Sequence, residues 1–155
     1  MSEKKFTAPD PATVKRWRED ISFRESVRER EFVFHSTWGI FSPRAVDEGS
    51  RLLLDHLDIQ PSDDCLDVGC GYGVLGMTMA ALAPQGKSVL IDKDFVAVEY
   101  AKKNCALNKL NNTEVFLSNG FNQIPADYCF DVIVSNLPAK VDRKSTRLNS
   151  SHLGI

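Results

Sequence analysis

Short apolar runs punctuated by charged or helical stretches set the rhythm of this chain, and that rhythm changes near Pro61. Upstream, DPATVKRWRED (10–20) fits a short charged helix. ISFRESV (21–27) and EFVFHS (31–36) alternate apolar with polar positions, imperfectly but enough to predict a hairpin with one covered face, joined through Arg28, Glu29 and Arg30. WGIFSPRAVDEGSRLLLDHL (38–57) reads as a loop feeding a helix whose apolar side is Val46, Leu53, Leu54 and Leu57. Downstream, apolar runs alternate with helical ones: CLDV (65–68), VLGMTMAALA (74–83), SVLID (88–92), FVAVEYAKKNCALN (95–108), TEVFL (113–117) and FDVIVSN (130–136). Near-continuous apolar strands alternating with helices predict the α/β class, a parallel sheet covered on both faces.

Composition narrows the function classes. A chain of 155 residues, 43% hydrophobic, is long enough to bury a real core as one domain. Its formal net charge of −2 lacks the basic excess of a protein that coats nucleic acid, so any nucleic-acid substrate would have to be held by a local patch or by a missing part. No apolar run approaches the roughly 20 residues of a membrane span, and the opening MSEKKFTAPDP lacks the apolar core of a secretory signal, so a cytoplasmic protein is expected. Cys65, Cys70, Cys105 and Cys129 are scattered, as are His35, His56 and His152, so no metal site is expected. Cys65 in a strand and Cys105 in a helix read as ordinary buried thiols.

Candidate chemistry begins at Leu66-Asp67-Val68-Gly69-Cys70-Gly71-Tyr72-Gly73, which follows the first downstream strand and opens a helix. Glycines there let the backbone approach a ligand, and a helix N-terminus adds unpaired N–H donors. Gly71 to Gly76 also matches G-x-G-x-x-G, the dinucleotide fingerprint. That reading leaves Asp67 and Gly69 without a role and sets a carboxylate beside a pyrophosphate. Beside a sulfonium and an ammonium the same carboxylate is favourable.

LDVGCGYG resembles motif I of the class I methyltransferases that use S-adenosylmethionine. The resemblance implies a Rossmann-like α/β sheet in which the first strand lies between the second and the fourth, with the third at one edge. It implies that Asp67, Gly69, Cys70, Gly71 and Gly73 hold the methionine end of the cofactor, and that Asp92, closing VLIDKD, accepts the ribose hydroxyls. Asp94, two residues on, better fits a helix cap. Asn119 in FLSNG falls where the family meets the adenine amino group, although Asn-Gly is also a common turn pair. FVFHSTWGIFSPRAVDEGSRLLLDHL is similar to the start of the "methyltransferase small" domains, which include enzymes that methylate guanine N2 in ribosomal RNA; Phe41, Ser42, Asp47, Gly49, Ser50 and Leu52 to Leu54 carry the match.

Ser135-Asn136-Leu137-Pro138-Ala139 stands where amino-group methyltransferases carry Asn/Asp-Pro-Pro-aromatic. The lone pair of an exocyclic or amide nitrogen is delocalised, so catalysis there is positioning and electrostatics: the Asn136 carbonyl and a backbone carbonyl at Leu137 or Pro138 each accept one N–H. Leu137 replaces the first proline and Ala139 the aromatic residue that stacks on a planar substrate. Trp38, Phe41 or Phe121 are the alternative sources of a ring. The implied activity is an N-methyltransferase acting on a guanine amino group of ribosomal RNA; a protein amide or a small molecule is the alternative acceptor, and an inactive cofactor-binding fragment the non-enzyme reading.

The expected organisation is an N-terminal helix, hairpin and leading helix over 1–60, the N-terminal half of the cofactor-binding domain over 61–141, and a tail over 142–155. Asp142 to His152, DRKSTRLNSSH, resembles the translation of a sequencing-library adapter. The expectation is therefore a methyltransferase sheet truncated after its fourth strand, with a non-native tail, and inactive as written.

Overall fold

The computed structural model describes residues 7–136, Trp17 by its backbone alone. Leu137, Pro138, Ala139 and the 142–155 tail thus lie outside the described residues. The elements run α1 (Pro11–Trp17), β1 (Ile21–Val27), β2 (Arg30–Ser36), α2 (Glu48–His56), β3 (Cys65–Val68), α3 (Val74–Leu82), β4 (Ser88–Asp92), α4 (Phe95–Leu107), β5 (Thr113–Leu117) and β6 (Val132–Ser135). β3 to β6 form a parallel sheet in the order β5-β4-β3-β6, and β1 and β2 form a separate antiparallel hairpin. The first downstream strand is therefore interior, flanked by the second and the fourth, as the motif resemblance implies.

Apolar content follows position in this sheet. β3 and β4 have strand neighbours on both sides and are buried almost throughout; β5 and β6, at the edges of the described sheet, are half-exposed. Helices cover one face. There Met77, Met79, Leu90, Ala101, Cys105 and Val134 share a core with Phe32, Phe34 and Tyr72. Gly76 makes the close approach of α3 to β4 possible, since a Cβ at that position would sit 2.2 Å from Leu90 Cγ. On the opposite face Leu66, Val89 and Ile91 pack with Phe116, Ile124, Tyr128 and Phe130, so among the described residues that side is covered by a loop segment.

Three helices start at aspartate caps: Asp10 accepts from the Thr13 N–H, Asp47 from Ser50 and Asp94 from Val96. Asp94 is thus the cap of α4, as expected. The hairpin turns through Arg28 and Glu29, both at positive φ (51° and 65°), the backbone of a two-residue primed turn. The expected link of three residues is shorter by one because Arg30 pairs with Val27 and belongs to β2. Arg28 then donates its guanidinium to the Leu54 and Leu57 carbonyls at the end of α2.

Two asparagines one turn apart, Asn104 on α4 and Asn108 at its C-cap, fasten the hairpin to the sheet domain. Asn108 accepts from the Val33 N–H and donates to the Val33 carbonyl; Asn104 does the same with His35 and also donates to the Tyr72 carbonyl. Each side-chain amide acts as a peptide group, pairing backbone positions on β2 that would otherwise be open to another strand.

Candidate active site

The glycine turn follows β3. Gly69, Gly71 and Gly73 all have positive φ, at 73°, 54° and 108°, so the alternating glycines answer a backbone need. Their N–H groups are largely committed. Gly69 and Cys70 donate to the Ile91 carbonyl, Gly71 to Asp92 Oδ2 at 3.0 Å, and Gly76, in the first turn of α3, to Asp67 Oδ2 at 2.8 Å. Two carboxylates already occupy donors that a pyrophosphate would need, which removes the physical basis for a dinucleotide in this turn.

Beside the turn lies a cleft of about 230 Å³ whose lining includes Asp67, Gly69, Cys70, Gly71, Asp92 and Asn136. Those expected residues come together; Gly73 caps α3 just behind them. Asn119 does not line the cleft: it is exposed, its N–H bonds Gln123 Oε1, and the following Gly120 has φ of 57°. Phe41 also lines the cleft and is 54% exposed, whereas Trp38 is flanked by the guanidinium groups of Arg16 (4.9 Å) and Arg44 (4.3 Å). Phe121 is exposed and outside the lining.

Asp67 is 1% exposed, and Oδ1 has no hydrogen-bond partner among the described residues. Burial pushes its carboxyl up to about 7, against the opposing Gly76 hydrogen bond and with help from Asp92. An orphaned, desolvated carboxyl oxygen beside a cleft fits a cationic or hydrogen-donating ligand. Asp92 holds the Gly71 and Asp94 N–H groups, one on each oxygen, and a carboxylate retains further lone pairs for ligand hydroxyls. Burial pushes the Cys70 thiol well above its ordinary value, so it is not a thiolate nucleophile. Among the described residues no cluster of His, Cys, Asp and Glu could hold a metal ion.

The far wall comes from the upstream segment. Tyr72 donates to the Ser42 and Ala45 carbonyls and so holds the 37–47 loop against the turn. Asn136, at the end of β6, donates to Asp47 Oδ2 at 2.9 Å and Ser50 Oγ at 3.0 Å. The family resemblance includes Asp47 and Ser50 but assigns them no contact with Asn136.

A family model for the methyltransferase small domain matches residues 31–152. The chain belongs to this family. Among its relatives, the uncharacterized protein YbxB of Bacillus subtilis (strain 168) is 34% identical over 146 residues, 93% of this chain and 70% of YbxB. Ribosomal RNA small subunit methyltransferase C of Stutzerimonas stutzeri (strain A1501) is 42% identical over 100 residues, 64% of this chain but 29% of that protein. In three dimensions, a T. thermophilus 16S rRNA N2 methyltransferase solved with AdoMet and guanosine superposes with a TM-score of 0.73 at 28% identity, covering 79% of this chain and 34% of that one. The chain thus spans about a third of the ribosomal RNA methyltransferases it matches.

Proposed function

We propose that residues 61–141 form the N-terminal half of the cofactor-binding domain of an S-adenosylmethionine-dependent N-methyltransferase whose acceptor is a guanine amino group of ribosomal RNA. The observation that carries this reading is the meeting of Asp67, Asp92 and Asn136 around one glycine-lined cleft. When bound, the cofactor supplies an electrophilic methyl carbon on a sulfonium. The glycine turn with Asp67 holds its cationic end, and Asp92 accepts its hydroxyls. The Asn136 carbonyl accepts one hydrogen from the acceptor nitrogen, aligning the lone pair; a backbone carbonyl at Leu137 or Pro138 takes the other. Asn119 is proposed to meet the adenine amino group when the cofactor is bound.

Phe41 is the ring best placed to stack on a planar acceptor, because it alone of Trp38, Phe41 and Phe121 both lines the cleft and stands exposed. A ring at this position offsets Ala139 at the motif's aromatic site. Among the described residues no helix is long and apolar enough to cross a membrane. A cytoplasmic location is proposed from the ribosomal RNA substrate alone.

The test is calorimetry with S-adenosylmethionine and with a nicotinamide dinucleotide, followed by transfer of labelled methyl to 16S ribosomal RNA, on the full-length protein that carries this chain. Binding of the adenosyl cofactor alone, with label on guanine N2, is expected. Label on protein or a small molecule instead would move the acceptor class; dinucleotide binding would overturn the reading.

A further inference from the structure

We infer that Asp47 is a positioning residue for the candidate acceptor-binding amide: it fixes which way the Asn136 side chain faces. This inference rests on the methyltransferase reading above and concerns the same site. It starts from hydrogen-bond direction. An ionised carboxylate only accepts, and Asp47 is ionised at neutral pH: burial pushes its carboxyl up, but hydrogen bonds from Ser50 and Asn136 outweigh this and hold it below its ordinary value. Ser50 spends its hydroxyl proton on Asp47 Oδ1, at 2.7 Å, and therefore only accepts from Asn136. Both N–H bonds of the Asn136 amide are then consumed, one by Asp47 Oδ2 and one by Ser50 Oγ. No described residue donates to Asn136 Oδ1.

A flipped amide would set its carbonyl against a carboxylate oxygen and a hydroxyl lone pair. The flipped state would also present an N–H pair to an acceptor that is itself an N–H donor. One acceptor-only group at the start of α2 thus makes Asn136 an acceptor toward the cleft. Gly49 gives the amide room: a Cβ there would stand 3.1 Å from Asn136 Oδ1 and 3.2 Å from Nδ2, close enough that the amide would have to give by a few tenths of an ångström. The upstream segment is therefore part of the machinery, linked to β6 by a contact between residues 89 positions apart.

The experiment compares the full-length protein with Asp47→Asn and with the swap Asp47→Asn/Asn136→Asp. Asparagine is as good a helix cap as aspartate, so Asp47→Asn should fold. It removes the obligate acceptor, and kcat should fall on the order of 10- to 100-fold, as misplacement of a reacting group does, while cofactor Kd and thermal midpoint stay unchanged. In the swap the new amide donates to the new carboxylate, which keeps an acceptor oxygen toward the cleft, so turnover should recover above either single variant. A structural role would show no such recovery. Amide-proton exchange at Asn136, followed by NMR, should be slow in the wild type and faster in Asp47→Asn. Wild-type turnover in Asp47→Asn, a swap no better than the single variants, or unchanged exchange at Asn136 would each overturn the inference. Absence of methyl transfer by the wild type, with the exchange difference intact, would instead sink the methyltransferase reading and leave the orientation of Asn136 established.

Discussion

Asp92 holds the Gly71 N–H on one oxygen and the Asp94 N–H on the other, so one carboxylate ties the glycine turn to the start of α4. If it also accepts ligand hydroxyls, Asp92→Ala should weaken cofactor binding by about 1.5–3 kcal/mol, the usual contribution of a hydrogen bond to a charged group. Calorimetry measures this, and a thermal melt shows whether the turn has collapsed with it; unchanged affinity would remove Asp92 from the site. Asn136 predicts a different signature. Its carbonyl is assigned to the acceptor, so Asn136→Ala should lower kcat while leaving cofactor Kd nearly intact, separable by steady-state kinetics and equilibrium binding. An equal loss in both would mark the residue as structural.

At the scale of elements, the hairpin depends on side chains more than on its own pairing. An isolated two-stranded hairpin is marginal in water. β1 and β2 are held by the packing of Phe23 and Phe34 on Tyr72 and by the amides of Asn104 and Asn108 on β2. Asn104 is fully buried and serves three backbone groups: the His35 N–H, the His35 carbonyl and the Tyr72 carbonyl. Asn104→Ala should therefore destabilise the protein by about 3 kcal/mol or more, since each buried group left unpaired costs ~1–3 kcal/mol. Urea denaturation gives the magnitude, and hydrogen exchange should show the hairpin opening first. A loss below about 1 kcal/mol would mean that water replaces the amide.

For the whole molecule, the pH profile of stability is a contest between two kinds of carboxyl. The buried Asp67 has its folded value raised to about 7 from 3.8, so its contribution is full below about 4 and is lost as pH rises toward 7. Asp20, Asp47 and Glu114 go the other way. Burial opposes the shift at Asp20 and Asp47, but His35 and Lys103 at the first and Ser50 and Asn136 at the second hold these carboxyls below their ordinary value; the Lys87 hydrogen bond does so for Glu114. Their contribution is present above the unfolded values and lost as pH falls through the depressed ones. Stability should therefore rise out of strongly acidic solution, pass a maximum near pH 4–5 and decline toward about 7. Asp67→Asn, neutral at every pH, should abolish the decline and leave the acid limb. Urea denaturation across this range checks both limbs, and a decline that survives the substitution would assign it to another group.

The downstream elements were legible because their signals are local. Four- and five-residue apolar runs such as CLDV and SVLID mark strands with neighbours on both sides, and three glycines in alternation mark a turn that needs positive φ. Asp67, Asp92 and Asn136 are legible through the resemblance of LDVGCGYG, VLIDKD and SNLPA to methyltransferase motifs, and in the structure all three stand at the same end of parallel strands. What the sequence left open is nonlocal. Nothing in the spacing of Asn104 and Asn108 announces that they pair with Val33 and His35, and nothing in SPRAVDEGS announces that Asp47 orients Asn136. The choice among Trp38, Phe41 and Phe121 had the same character, because it turns on which ring faces the cleft. Periodicity and turn chemistry act within a few residues and are written in the chain; the partner of a buried polar group is set only when distant elements pack, because desolvation makes pairing obligatory there.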